Sequence, residues 1–244
     1  KLSNDKVHFT YKSEFTDNIS LCQGDVLKAT DEFKNVIEKY HPYFANEQYK
    51  YFMVLTQSCD LVRREGQRCK TPYIILAAIK DFSKFLEKYL VVNKYAENVN
   101  DLILMDAKRY KNAYQFVERL YNNTEPDYFF LYKEEKLHFT ESMVVLLKVS
   151  FALKSAEHYK TCLDAKILEL SDEFKAKVGW LVGNIYSRVG TTDWDSILTR
   201  QQKEALFANE LSSHCLIGSK EQITQLKKGL DTSSSDLGTY EKAL

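Results

Sequence analysis

YFMVLTQSCDL, residues Tyr51–Leu61, decides how the rest of the chain is read. Its first six residues, Tyr51 to Thr56, form a continuous run of apolar and β-branched side chains. Such a run predicts a strand covered on both faces or set in the middle of a small closed sheet. The run then breaks into Gln57-Ser58-Cys59-Asp60 and delivers a thiol and a carboxylate to the carboxyl end of the strand, where a rigid element can present a site.

Working outward, Tyr73–Ile79 is a second apolar strand, reached across a charged connection over 63–70 with Gly66 near its tip. Upstream, Leu21–Leu27 places a Gly24-Asp25 turn at the mouth of a short strand. Thr30 caps a helix over Ala29–Tyr40 that His41-Pro42 ends, with Phe33, Val36, Ile37 and Tyr40 on one face. Downstream, two helices are expected at Asp81–Asn93 and roughly 100–121. From Tyr128 the period changes to that of hairpins, through YFFLY, LHF and MVVLLKVSFAL, and Lys166–Leu170 makes a last strand. Between them lies a short polar stretch with His158 and Cys162. Ser171 caps a helix over Asp172–Val189, and Gly190 stops it. Gly179 and Gly183 inside that helix each cost about 1 kcal/mol relative to Ala, so close intramolecular packing is expected to compensate. After Trp194 the sequence becomes helical and charged, with helices near 196–211 and 219–230. Ser219 and Gln222 form a capping-box pattern in the second.

The predicted fold class is therefore α+β: a small, strongly bent antiparallel sheet or open barrel surrounded by helices, with a helical C-terminal segment. The expected organisation is a core over 1–194, a helical arm over 195–230 carrying Leu206, Leu211, Ile223, Leu226 and Leu230, and a flexible tail over 231–244.

Bulk chemistry narrows the class of function. The 244 residues carry 34 basic and 34 acidic side chains, so no overall positive field draws the protein to nucleic acid or anionic lipid. Lys108, Arg109 and Lys111, interleaved with Tyr110 and Tyr114, accordingly read as the wet face of a helix. No apolar run approaches membrane-spanning length. Five cysteines at irregular spacing fit a reducing compartment, and a cytoplasmic protein is expected. The two glycosylation tripeptides at Asn18 and Asn122 read as chance occurrences.

The order Gly24-Asp25-Val26-Leu27, then Tyr51–Thr56, then Tyr73–Ile79, resembles the opening of the MazF/PemK toxin family and implies its bent barrel. In that family an Arg and a hydroxyl residue act together on a phosphodiester. The resemblance places the Arg at Lys50 and the hydroxyl residue at Lys80. Lysine lacks the bidentate fork of arginine and Lys80 carries no hydroxyl, so that ribonuclease mechanism is not expected to transfer. VLTQSCDL and YSRVGTTDW also resemble motifs of a group of uncharacterised bacterial proteins. That resemblance implies a setting in mobile or defence-related gene neighbourhoods.

Cys59 and Asp60 admit three readings. Cys59 could be a nucleophile, given a base such as His138, His158 or His214. It could join Cys69, His158 and Cys162 around zinc, since His158 and Cys162 have helical i, i+4 spacing. Or Cys59 is a small buried structural thiol, with Asp60 accepting backbone N–H groups in a turn. Gln57 and Arg188 complete the candidate binding set with Cys59 and Asp60. The leading expectation is a non-catalytic binding or regulatory component that contacts a protein partner and needs no cofactor. The alternative is a nuclease or hydrolase that uses Cys59, Asp60 and Lys50, with zinc as the candidate metal.

Overall fold

The computed structural model describes residues 7–13, 20–63, 68–99, 102–186, 198–206, 219, 221–222 and 224–225. The chain divides into two compact units, Lys1–Arg188 and Val189–Leu244.

The first unit is α+β. Its main sheet has six antiparallel strands: β1 (Val26–Lys28), β2 (Tyr51–Val54), β3 (Tyr73–Asp81), β6 (Tyr128–Leu131), β7 (Met143–Lys154) and β8 (Lys166–Leu168). Their spatial order is β6-β7-β3-β2-β1-β8, and the sheet is open. A separate hairpin pairs β4 (Glu97–Val99) with β5 (Leu102–Leu104). That hairpin and the following connection occupy the beginning of the stretch expected to be helical from about 100. Asp106 then accepts a hydrogen bond from the Arg109 N–H and starts helix α4 (Ala107–Tyr121).

Alternation assigns the two faces of the sheet. Val26, Met53, Ala77, Ile79, Phe129, Leu131 and Val145 lie in one core, with Tyr11, Leu170 and the α6 residues Val178 and Leu181 (α6, Asp172–Tyr186). The opposite face splits into two clusters. Leu27, Phe52, Val54, Leu76 and Ala78 pack with Phe33 and Ile37 of α1 (Asp31–Tyr40) and Tyr159 and Cys162 of α5 (Ser155–Asp164). Phe130 and Val144 pack instead with Phe116 and Leu120 of α4 and with Phe82, Phe85 and Tyr89 of α3 (Phe82–Val92). The central strand β2 is thus covered on both faces, as its unbroken apolar run requires.

The bend expected of the sheet is built into β7. Its register against β3 jumps between Ala77, opposite Ser150, and Ala78, opposite Leu146. The residues between, Leu147 to Val149, have no β3 partner, and the parity of inward residues changes across them. Val144 and Leu146 face the α3 and α4 cluster, whereas Phe151 and Leu153 face α1 and α5.

The open edge at β6 is closed by a side chain. Asn123, buried and in the left-handed region (φ 51°), accepts the Phe130 N–H at 2.6 Å and donates to the Phe130 carbonyl at 3.4 Å. Its carboxamide makes both hydrogen bonds of a strand partner.

The polar stretch around His158 folds as α5, and Cys59 sits on the short helix α2 (Ser58–Leu61). Residues 200–206 of the second unit are helical, and Ser219 and Gln222 make the reciprocal capping box. The Ser219 N–H donates to Gln222 Oε1 at 2.6 Å and the Gln222 N–H donates to Ser219 Oγ at 3.3 Å. Leu211, Ile223, Leu226 and Leu230 lie outside the described residues. No helix among the described residues is long and apolar enough to cross a membrane.

Candidate functional site

The Cys59 turn is held from outside by the Gln23 N–H, which donates to Ser58 Oγ at 3.0 Å. The Cys59 thiol donates toward Gln57 Oε1 at 3.7 Å and Asp60 Oδ1 at 3.9 Å, both side chains of its own turn, and Cys59 is exposed. Asp60 contributes a carbonyl that accepts the Thr71 N–H at 3.3 Å. Cys69 donates to the Thr71 carbonyl at 3.5 Å, and Cys162 is buried on the inward face of α5, where burial pushes its thiol up to about 12. His158 lies against the Tyr40 ring, with centroids 5.2 Å apart. Among the described residues no three His, Cys, Asp or Glu side chains gather where a metal could be shared, and Cys59, Cys69, His158 and Cys162 are not brought together. Arg188 lies outside the described residues.

The neighbouring Gly24-Asp25 turn holds the buried charge. Asp25 is fully enclosed, and the Lys166 ammonium, 1% exposed, meets its Oδ2 at 2.9 Å. Lys166 also meets Glu169 Oε2 at 2.9 Å, and Glu169 Oε1 takes Lys175 at 2.6 Å and Lys12 at 2.8 Å. The Cys22 N–H donates to Asp25 Oδ2 at 2.7 Å, while Asp25 Oδ1 has no hydrogen-bond partner among the described residues. Burial raises the Asp25 pKa to about 6 against the pull of Lys166. At Glu169 burial is outweighed by hydrogen bonds from Lys12, Lys175 and Lys166, which lower it to about 2. This network ties the N-terminal segment, the β1 turn, β8 and α6 together, which is a structural task.

The concave site is elsewhere. A cleft of about 650 Å³ is lined by Glu47, Gln48, Lys50 and Tyr51 from the entry to β2, and by Lys84, Phe85, Lys88, Tyr89 and Val92 from α3. Ile79, Lys80 and Asp81 of β3 line it too, with Asp127 and Tyr128 at β6, and Leu146, Lys148 and Val149 at the β7 bulge. Its size is that of a small-molecule site. Five lysines reach it. Asp81 is occupied in starting α3, where Oδ1 accepts the Lys84 N–H at 2.8 Å, and Asp127 pairs with Lys148 at 2.7 Å. Among the described residues Lys50, Lys80, Lys84 and Lys88 make no ion pair. The Lys80 ammonium lies over the Tyr49 ring, 5.1 Å from its centroid.

Register adds a specific feature. Tyr51 pairs with Ile79 in the antiparallel ladder, so continuing that register by one residue sets Lys50 opposite Lys80. Like charges directly opposite on adjacent strands are unfavourable by a few tenths of a kcal/mol to about 1 kcal/mol. An anion between them would reverse that sign.

The sequence reading reached Lys50 and Lys80 through the toxin resemblance, and the structure puts both on this one cleft. It missed Lys84 and Lys88. The available signal was two lysines one turn apart, beside the inward Phe85 and Tyr89. Comparison of the chain with known protein families, curated proteins and solved structures gives no match.

Proposed function

We propose that this chain is a non-catalytic binding or regulatory protein that recognises an anionic ligand in the Lys50–Lys80 cleft. The observation that carries the reading is that Lys50 and Lys80 line one concavity that also receives Lys84 and Lys88, and the β2–β3 register, carried one residue past Tyr51, sets the first two opposite each other. A bound anion offsets their repulsion, and a partly enclosed cleft screens the attraction less than open water does. Cys59, by contrast, hydrogen-bonds only within its own turn among the described residues, and it is exposed where the structural reading expected a buried thiol. Titration of the protein with inorganic pyrophosphate by calorimetry tests the proposal. Saturable binding that weakens at least about tenfold in Lys50→Ala and Lys80→Ala is expected. Equal binding in the wild type and both variants, or none in the wild type, overturns it.

A second reading, a nuclease on a degenerate toxin-like barrel, is favoured by one observation: the two positions the resemblance marks for catalysis line the same cleft. Cleavage of single-stranded RNA by the wild type, abolished in Lys50→Ala, would replace the first reading with this one. The setting in a bacterial toxin-like or phage-defence system, and a protein partner within it, rest on the VLTQSCDL and YSRVGTTDW resemblance. The neighbouring genes test both.

A further inference from the structure

We propose that the ligand of the cleft is a nucleotide, a phosphate group joined to a flat aromatic base, taken up either free or as part of a single strand. The inference rests on the reading of the cleft as an anion site and adds the chemistry of its remaining walls. A cleft of about 650 Å³ far exceeds what an inorganic phosphate fills, so the ligand has a body as well as a charge.

Beside the lysines that body meets aromatic rings. Phe85, Tyr89 and Tyr128 form one continuous wall, with Phe85 and Tyr128 centroids 4.9 Å apart and Tyr89 and Tyr128 5.9 Å apart. Tyr51 lines the cleft from the other face of the sheet, where it is braced edge-on against Phe139 at 5.5 Å. Each of these four rings is only partly buried, so each keeps surface for a planar group.

The acidic members of the lining sharpen the choice. Glu47 and Glu141 make no ion pair with a cleft lysine among the described residues. Glu141 lies close enough to Tyr51 that its charge, after burial, helps hold that phenol above its ordinary pKa. Two free carboxylates would repel a ligand that is anionic throughout, such as a polyphosphate. They suit one that is anionic at one end and carries N–H or hydroxyl donors at the other, as a base and ribose do. Lys50, Lys80, Lys84 and Lys88 take the phosphate; the carboxylates and rings take the remainder.

Calorimetric titration of the full chain with ADP, UDP, inorganic pyrophosphate and a single-stranded oligouridylate tests the proposal. Two variants accompany it: Lys84→Gln/Lys88→Gln, which changes only exposed lysines, and Tyr51→Leu, whose folding is checked by its thermal transition. A nucleoside diphosphate is expected to bind at least about tenfold tighter than pyrophosphate. The lysine variant should weaken both ligands, and Tyr51→Leu only the nucleotide. If pyrophosphate binds as tightly as the nucleotides, the anion site stands and the nucleotide assignment falls. If neither binds, both readings fall. Oligouridylate binding tighter than UDP identifies the strand as the source, and weaker binding identifies the free nucleotide; either result requires the nucleotide chemistry proposed.

Discussion

Lys166 ties the Gly24-Asp25 turn to β8. Its ammonium stands between two carboxylates, Asp25 and Glu169, at 2.9 Å from each, with almost no exposure. Replacing Lys166 with Met leaves Asp25 enclosed with one oxygen already unpartnered and no cation beside it. Removing one partner of a buried pair costs roughly 3–5 kcal/mol. Lys12 meets the same Glu169 from a far more exposed position, and Lys12→Met should cost less than about 1 kcal/mol. Urea unfolding of both variants checks the contrast, and equal losses would refute it. Asp25 also marks the limit of the sequence reading at this scale. Gly24-Asp25 is legible as a turn, but the carboxylate's partner is 141 positions along the chain, and nothing local announces it. Asp60, chosen because it follows a strand, forms no comparable contact among the described residues, and the Thr71 N–H reaches its backbone carbonyl and not its carboxylate.

At the scale of elements, the two glycines of α6 part company. A Cβ on Gly179 would come within 2.9 Å of Gln23 Oε1, whose carboxamide is held in place by donating to the Leu55 carbonyl at 2.7 Å. A Cβ on Gly183 meets nothing within 4 Å. Gly183→Ala should therefore stabilise the protein by up to about 1 kcal/mol through helix propensity alone. In Gly179→Ala that gain is opposed by displacement of Gln23, and the variant should be no more stable than the wild type. Thermal unfolding of the pair decides, and a similar rise in both would remove the packing role of Gly179. The expectation of close approach was sound for one glycine and empty for the other, because spacing along a helix does not say which neighbour lies outside it. Strands β2 and β3 and helices α1, α3 and α6 were legible since burial imposes their periods. The β4–β5 hairpin and α5 were not: one is three residues a side, and the other's buried residues, Tyr159 and Cys162, are separated by polar ones.

For the whole molecule, charge that is neutral in sum is unevenly placed. The buried network and the lysine cleft are separate accumulations, and the first bears more strongly on folding. Glu169 titrates well below its ordinary range, so its stabilising contribution is complete above about pH 4.5 and is lost as pH falls toward 2. Asp25 titrates above its range, so its contribution runs the other way: present below about pH 4 and lost as pH rises through 6. Stability measured by denaturant should fall between pH 4.5 and 2, and Glu169→Gln should flatten that fall. An unchanged acid limb in the variant would show that Glu169 does not govern it. The cleft was invisible in the net charge for the same reason: a zero total says nothing of four lysines gathered where α3 meets the entry to β2.

Asn123 bears on how this protein behaves in a crowd of its own copies. A four-residue strand at the end of an open sheet offers a second molecule a ready template, and the exposure recurs with every molecule in solution. By occupying both polar groups of Phe130 at its centre, one carboxamide takes away the docking point around which an edge-to-edge stack would start. A single side chain of the chain itself thus removes Phe130 from the groups this edge could offer to a second copy.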